Sequence, residues 1–289
     1  MFAKIFYVLG GIVALVGIIF FVAQIWDDLG GAGHVLITLG LGLILAGIGS
    51  YFLKGRPESR VGGIYHALAG LLIPGGAMVT LHETIGLDNL DTLWPVAITF
   101  GAIFVFYLLL NLYHKNEVLT LFGIANGTAF LYFLVGAIIN DTNYIYIEDI
   151  YAYLTMVVGL SYLFLAHSFR SGWNKRLVGV FNFFGAVGFL AAAFTRVDNS
   201  PLWQFFFFVL TIGGLALAVY LKSRVILIVS MLFLVAHFVY ITRKYFADSV
   251  GWPILLVIFG FLLIGLGYVS ISINKKIGAN PINPNPITQ

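Results

Sequence analysis

Ten stretches of about twenty apolar residues run through this chain, and they limit what it can fold into. A helix crossing ~30 Å of hydrocarbon needs about 20 such residues at ~1.5 Å each. The first five stretches are Lys4–Trp26, Gly33–Leu53, Val61–His82, Leu93–Tyr113 and Val118–Ile139. The second five are Ile150–Phe169, Leu177–Thr195, Leu202–Leu221, Val225–Thr242 and Gly251–Ile273. They are continuous rather than alternating with a period of two, which points to helices and away from membrane strands. Only 9% of the 289 residues are charged, against 61% hydrophobic. An ordinary soluble domain carries about 25% charged residues, so lipid rather than water is the expected solvent. The expected fold is an all-α integral membrane protein, a bundle of about ten transmembrane helices.

Lys4 followed by an apolar run has the outline of a secretory leader. The run exceeds a leader core of ~7–15 residues and no small-x-small cleavage site follows, so it is read as the first span.

The charges divide by side. With the N-terminus in the cytoplasm, Lys4, Lys54, Arg56, Arg60, Lys115, Arg170, Lys175, Arg176, Lys222, Arg224, Lys275 and Lys276 all face inward. Of the 15 basic residues, Arg196, Arg243 and Lys244 face out. Among the 12 acids only Glu58 and Glu117 face inward. This is the positive-inside pattern, and removing one span would scramble it. Both termini are therefore expected in the cytoplasm. The net charge of +3 follows from this topology and from no basic patch suited to nucleic acid.

Connections between the stretches are short, so residues 1–277 read as one transmembrane domain. The Pro- and Asn-rich segment Gly278–Gln289 (GANPINPNPITQ) reads as a disordered cytoplasmic tail. A 5+5 inverted repeat is one possible internal arrangement. It would match Leu72–Ala77 (LIPGGA) to Thr211–Ala216 (TIGGLA). A competing match pairs Leu45–Gly49 with Leu263–Gly267 in spans of the same direction.

No carboxylate lies mid-span, although a buried one is the usual device of proton-coupled transport. The chain has no cysteine, which excludes disulfides and thiolate chemistry. No nucleophile motif or phosphate loop occurs, no histidine pair has metal-ligand spacing, and neither a cofactor nor a metal is implied. Pro74-Gly75-Gly76 sits halfway along the third stretch. Proline removes a donor there and two glycines weaken the next turn, so a kink or an unwound segment is expected. Its freed backbone could line a binding site; the other reading is a close helix crossing. The remaining polar candidates are His66 and Asn182 near the inner boundary, Asn126 deeper, His237 in the outer third, and His82 with Glu83 at the outer end of the third span. Asn126 lies within Gly123–Gly127, the spacing of a helix contact with a polar clasp. An outer-surface enzyme would have to draw on His82, Glu83, Asp88 and Asp91.

Phe20–Asp28 (FFVAQIWDD), the Gly75–Trp94 region, and the closing hairpin from Lys244-Tyr245-Phe246 to Gly265-Leu266-Gly267-Tyr268 together carry a resemblance. Over about half its length the chain resembles a family of bacterial multi-pass membrane proteins known as a domain of unknown function. Members show Asn-Trp-Asp where this chain has Ile25-Trp26-Asp27. The resemblance implies many helices and a bacterial inner membrane, with no established substrate. Two readings of function remain open. One is a protein binding or transporting a small solute or lipid near Pro74–Gly76. The other is a non-catalytic scaffold or subunit, with a homo-oligomer or membrane partners.

Overall fold

A computed structural model describes residues 2–56, 59–86, 92–142 and 147–246, together with positions 257, 260, 261, 264 and 265. The rest of the tenth stretch, the 278–289 tail, Asp88 and Asp91 lie outside the described residues. Every regular element among the described residues is a helix. They are α1 (Phe2–Ile25), α2 (Gly31–Val35), α3 (Leu41–Leu53), α4 (Arg60–Ile85) and α5 (Trp94–His114). There follow α6 (Glu117–Thr142), α7 (Ile147–Ser168), α8 (Val178–Phe194), α9 (Pro201–Tyr220) and α10 (Arg224–Phe246). A five-residue π-helical turn, Leu36–Gly40, joins α2 to α3 without a break. The combined span is Gly31–Leu53. Eight helices among the described residues are long and apolar enough to cross a membrane. By length and composition these are the helices of a multi-pass membrane protein, and each predicted span from the second to the ninth falls on one of them within a few residues. The 24-residue α1 occupies the first predicted span.

Local chemistry explains where the helices start and stop. Ser59 Oγ accepts the Gly62 N–H at 3.4 Å ahead of α4, and Ser200 Oγ accepts the Trp203 N–H at 3.2 Å ahead of α9. Both satisfy donors that a first turn leaves without partners. Pro201 then opens α9, where its missing N–H costs nothing. Helix α4 ends at Gly86, whose φ of 78° suits glycine.

Outward faces are apolar. On α5, Ile98, Val105, Leu109 and Leu112 are exposed at helical spacing, where a soluble helix would carry charge. On α7 the exposed stripe is Tyr153, Val157, Leu160 and Phe164. Such stripes are stable facing acyl chains and strongly unfavourable in water.

The chain divides into two compact units. The first holds the described residues of Met1–Leu154 and Phe164–Phe181; the second holds those of Thr155–Leu163 and Asn182–Gln289. The core of the first is built from Leu45, Ala46, Leu53, Leu68, Ala69, Ile73, Ile103, Tyr107 and Leu119. That of the second is built from Leu163, Ala186, Leu190, Ala193, Phe207, Ala218, Ile226 and Val229.

In the second unit, Asp198 lies between α8 and α9 and binds the end of α10. Tyr240 donates its hydroxyl hydrogen to Asp198 Oδ1 at 2.5 Å, and Lys244 Nζ lies 2.7 Å from the Tyr240 oxygen and 3.4 Å from Asp198 Oδ1. The charge of Lys244 is therefore neutralised locally. The Tyr240 hydrogen bond, followed by the Lys244 ammonium, holds the Asp198 carboxyl below its ordinary range. A lowered folded value means that the clasp stabilises fully above the ordinary carboxyl pKa of about 4. Its contribution disappears as the pH falls through the lowered value. Asp198→Asn is expected to destabilise the protein at pH 7 and to match wild type in strong acid, as read by thermal unfolding in detergent across that range.

Candidate functional site

Helix α4 carries most of the residues singled out by sequence, but it does not gather them into one site. His66 and Glu83 stand about 26 Å apart along it at ~1.5 Å per residue. The Pro-Gly-Gly segment lies between them.

That segment differs from expectation. Helix α4 runs through Pro74 without unwinding. Proline forfeits a single backbone hydrogen bond, and packing on both sides of the helix offsets the loss. The irregular turn lies in the neighbouring span instead, as the π-turn Leu36–Gly40, and it presses on Gly76. A methyl group placed on Gly76 would lie 2.4 Å from Leu39 N, 2.6 Å from Leu39 Cα and 2.8 Å from Thr38 C. Gly75 beside it has nothing within 4 Å. The close-crossing reading of Pro74–Gly76 thus describes the structure, and Gly76 is the residue that permits the crossing.

Two apolar grooves flank this pinch. One, of about 480 Å³, is bounded by Ile18, Ile19, Val22 and Ala23 of α1, by Trp26 and Asp27, by Ile37 and Thr38 of the π-turn, and by Leu72. The other, of about 410 Å³, lies between Leu39, Leu43, Ile73, Ala77, Thr80 and Leu81 on one side and the α5 residues Ile98, Thr99, Ala102, Ile103 and Phe106 on the other. Both volumes are in the range of small-ligand sites. Successive residues of the π-turn and of α4 point to opposite grooves: Thr38 and Leu72 to the first, Leu39 and Ile73 to the second. A shift at the pinch would therefore alter both.

At the Glu83 end of α4 the first groove meets a polar cluster. His34 Nδ1 bonds to Glu83 Oε1 at 2.6 Å, His34 Nε2 donates to the Trp26 carbonyl at 3.0 Å, and the indole of Trp26 stacks on the imidazole at 4.0 Å. A carbonyl only accepts, so Nε2 carries a proton, and a second proton on Nδ1 completes an ion pair with the carboxylate. His82, the neighbour of Glu83, is exposed and takes no part. Sequence reasoning overlooked His34, whose partner lies 49 residues away with no spacing signal to announce it. Glu83→Gln and His34→Ala are each expected to destabilise the protein modestly, and the double variant no more than the larger single loss. A double-mutant cycle on thermal unfolding in detergent measures this coupling.

At the other end of α4, His66 is fully buried against Gly49, 3.3 Å from Ser50 Oγ and with its ring centroid 6.2 Å from that of His114. Its Nδ1 has no hydrogen-bond partner among the described residues. His114, also buried, was not anticipated from sequence. Asn126 corrects a second expectation: its amide donates to Phe122 O of its own helix at 2.7 Å, so this bond is not an interhelical clasp. The contact at that level is made by rings seated in glycine notches, with Phe104 against Gly127 and Phe122 against Gly70.

In the second unit Asn182 donates to Ser223 Oγ at 3.3 Å. His237 is buried with its ring 5.1 Å from Phe207. Both retain an atom without a partner among the described residues, Asn182 Oδ1 and His237 Nδ1. Among the described residues no three His, Asp or Glu side chains come together as a metal site. Comparison with family models, with curated proteins and with solved structures finds no match.

Proposed function

We propose that this chain is a ten-span protein of a bacterial inner membrane, with both termini cytoplasmic, that binds a lipid or a small apolar solute beside Pro74–Gly76. The observation that carries the reading is the pair of apolar grooves on either side of the Gly76 crossing. Tight packing alone requires no such space, and both grooves are bounded almost entirely by hydrocarbon. The absence of a mid-span carboxylate in the sequence favours binding, or movement of a neutral or lipidic ligand, over proton-coupled transport. We also place the chain with the family its first and last hairpins resemble. A 5+5 repeat would make the Gly213-Gly214 region of α9 the counterpart of Gly75-Gly76. Gly214 packs against the Ser230 side chain rather than against backbone, so the two patches differ in detail.

Native mass spectrometry of the full chain in mild detergent tests the binding. Wild type is expected to carry lipid-mass adducts that are reduced by Ala23→Trp, which fills the first groove, and by Ala102→Trp, which fills the second. Unchanged adducts in the double variant would overturn the reading. Topology is tested on the same cysteine-free background. On intact cells an impermeant maleimide is expected to label Asn199→Cys and to leave Ser171→Cys unlabelled.

A second reading, as a subunit of a larger membrane assembly, draws support from α1. Gly10 and Gly17 lie two turns apart on one face, and no described residue comes within 4 Å of a Cβ at either, a surface a second helix can approach closely. Under this reading the purified protein in mild detergent is larger than a monomer, and Gly17→Leu returns it to one.

A further inference from the structure

The two grooves differ at their ends. The second is bounded by apolar side chains and two threonines, with no charged residue. The first ends on Trp26 and Asp27, and Asp27 is its one charged wall residue. Asp28 follows directly, and both carboxylates are exposed. The nearby Glu83 carboxylate is already engaged by His34 at 2.6 Å. Among the described residues no lysine or arginine pairs with Asp27.

The walls have the matching geometry. Ile18 and Val22, and Ile19 and Ala23, are i,i+4 pairs on one face of α1. They line an apolar track that runs about 12 Å from Ile18 to Trp26 at ~1.5 Å per residue. An occupant would lay a hydrocarbon chain along that track and present its head beside an indole and a carboxylate. Indole and carboxylate both attract a cation, and the Asp27-Asp28 pair repels a phosphate that has no positive group beyond it.

We propose that the first groove takes one acyl chain of a membrane lipid whose head group ends in an amine, with Asp27 and Trp26 receiving the ammonium. This rests on the ligand-binding reading above and adds the head-group class to it. The lipid phosphate stays in water, and the polar end of the site is selective while the apolar track is not.

The full chain is reconstituted in vesicles doped with a photoactivatable-acyl phosphatidylethanolamine or with the phosphatidylglycerol of identical acyl chains, and the cross-linked peptides are mapped. The ethanolamine lipid is expected to label the 18–26 segment about fivefold more than the glycerol lipid, the ratio one exposed ion pair and one cation–π contact give together. Asp27→Asn, checked for an unchanged thermal midpoint, is expected to bring the two lipids near parity. Labelling of the 98–106 segment, in the second groove, is expected to ignore the head group in both proteins. Equal labelling of 18–26 by both lipids in wild type would overturn the head-group assignment and leave lipid binding intact. A preference that survives Asp27→Asn would also overturn it. Absence of label from both segments would remove the binding reading itself.

Discussion

Gly76→Ala is expected to lower the thermal midpoint of the detergent-solubilised protein by several degrees and to strip ligand from both grooves at once. The added methyl would lie 2.4 Å from Leu39 N and 2.6 Å from Leu39 Cα. These are backbone atoms, so no side-chain rotation relieves the contact. The π-turn and α4 must separate, at a cost of about 1–3 kcal/mol for overpacking of this kind. Since Thr38 and Leu39 face different grooves, the separation changes both. Gly75→Ala is the matched control: the neighbouring site is open, and the substitution is expected to be silent or slightly stabilising through helix propensity. Thermal unfolding together with native mass spectrometry of the two variants checks the contrast.

The second large effect is expected in the other unit. Gly159 of α7 and Gly185 of α8 face each other: a methyl on Gly159 would lie 2.6 Å from Phe189 N and 2.9 Å from Gly185 O, and one on Gly185 would lie 2.9 Å from Gly159 O. Backbone opposes backbone in both directions, the close approach that small residues permit in lipid-facing helices. Gly159→Ala is expected to destabilise by a further amount of about 1–3 kcal/mol. Gly188→Ala, on the same seam, meets only ordinary contacts at 3.9 and 4.0 Å and is expected to be tolerated. Loss of midpoint in the first variant and not the second, measured in the same detergent, is the outcome to look for.

These glycines mark the boundary of what the sequence could tell. Hydropathy records which residues leave water, and in this chain nearly all of them do. That is why the second to ninth spans were readable to within a few residues. In lipid, however, the outward face of a helix is as apolar as its inward face, so no polar stripe reports which way α4 or α5 turns. Gly75 and Gly76 read alike until the π-turn is seen beside one of them. His34 and Glu83 lie in different spans, and only the fold brings them together. Asn126 read as an interhelical clasp because a polar atom in hydrocarbon needs a partner; a carbonyl one turn back on its own helix, at Phe122, supplied it. His66 stood out as a polar residue near the inner boundary, whereas nothing in the sequence singled out its neighbour His114 at the end of another span. An irregular turn does occur, but it is the π-turn Leu36–Gly40 in the neighbouring span and not the kink or unwound segment expected at Pro74–Gly76.

The account centres on ligand-sized space beside the Gly76 crossing. The most direct test is an electron cryo-microscopy map of the full chain in nanodiscs made with phosphatidylethanolamine. The account predicts an elongated non-protein density along Ile18, Val22 and Leu72, with its head at Trp26 and Asp27. Helix α1 packed against α4 with Leu72 in contact with Val22, and no density between them, would contradict it.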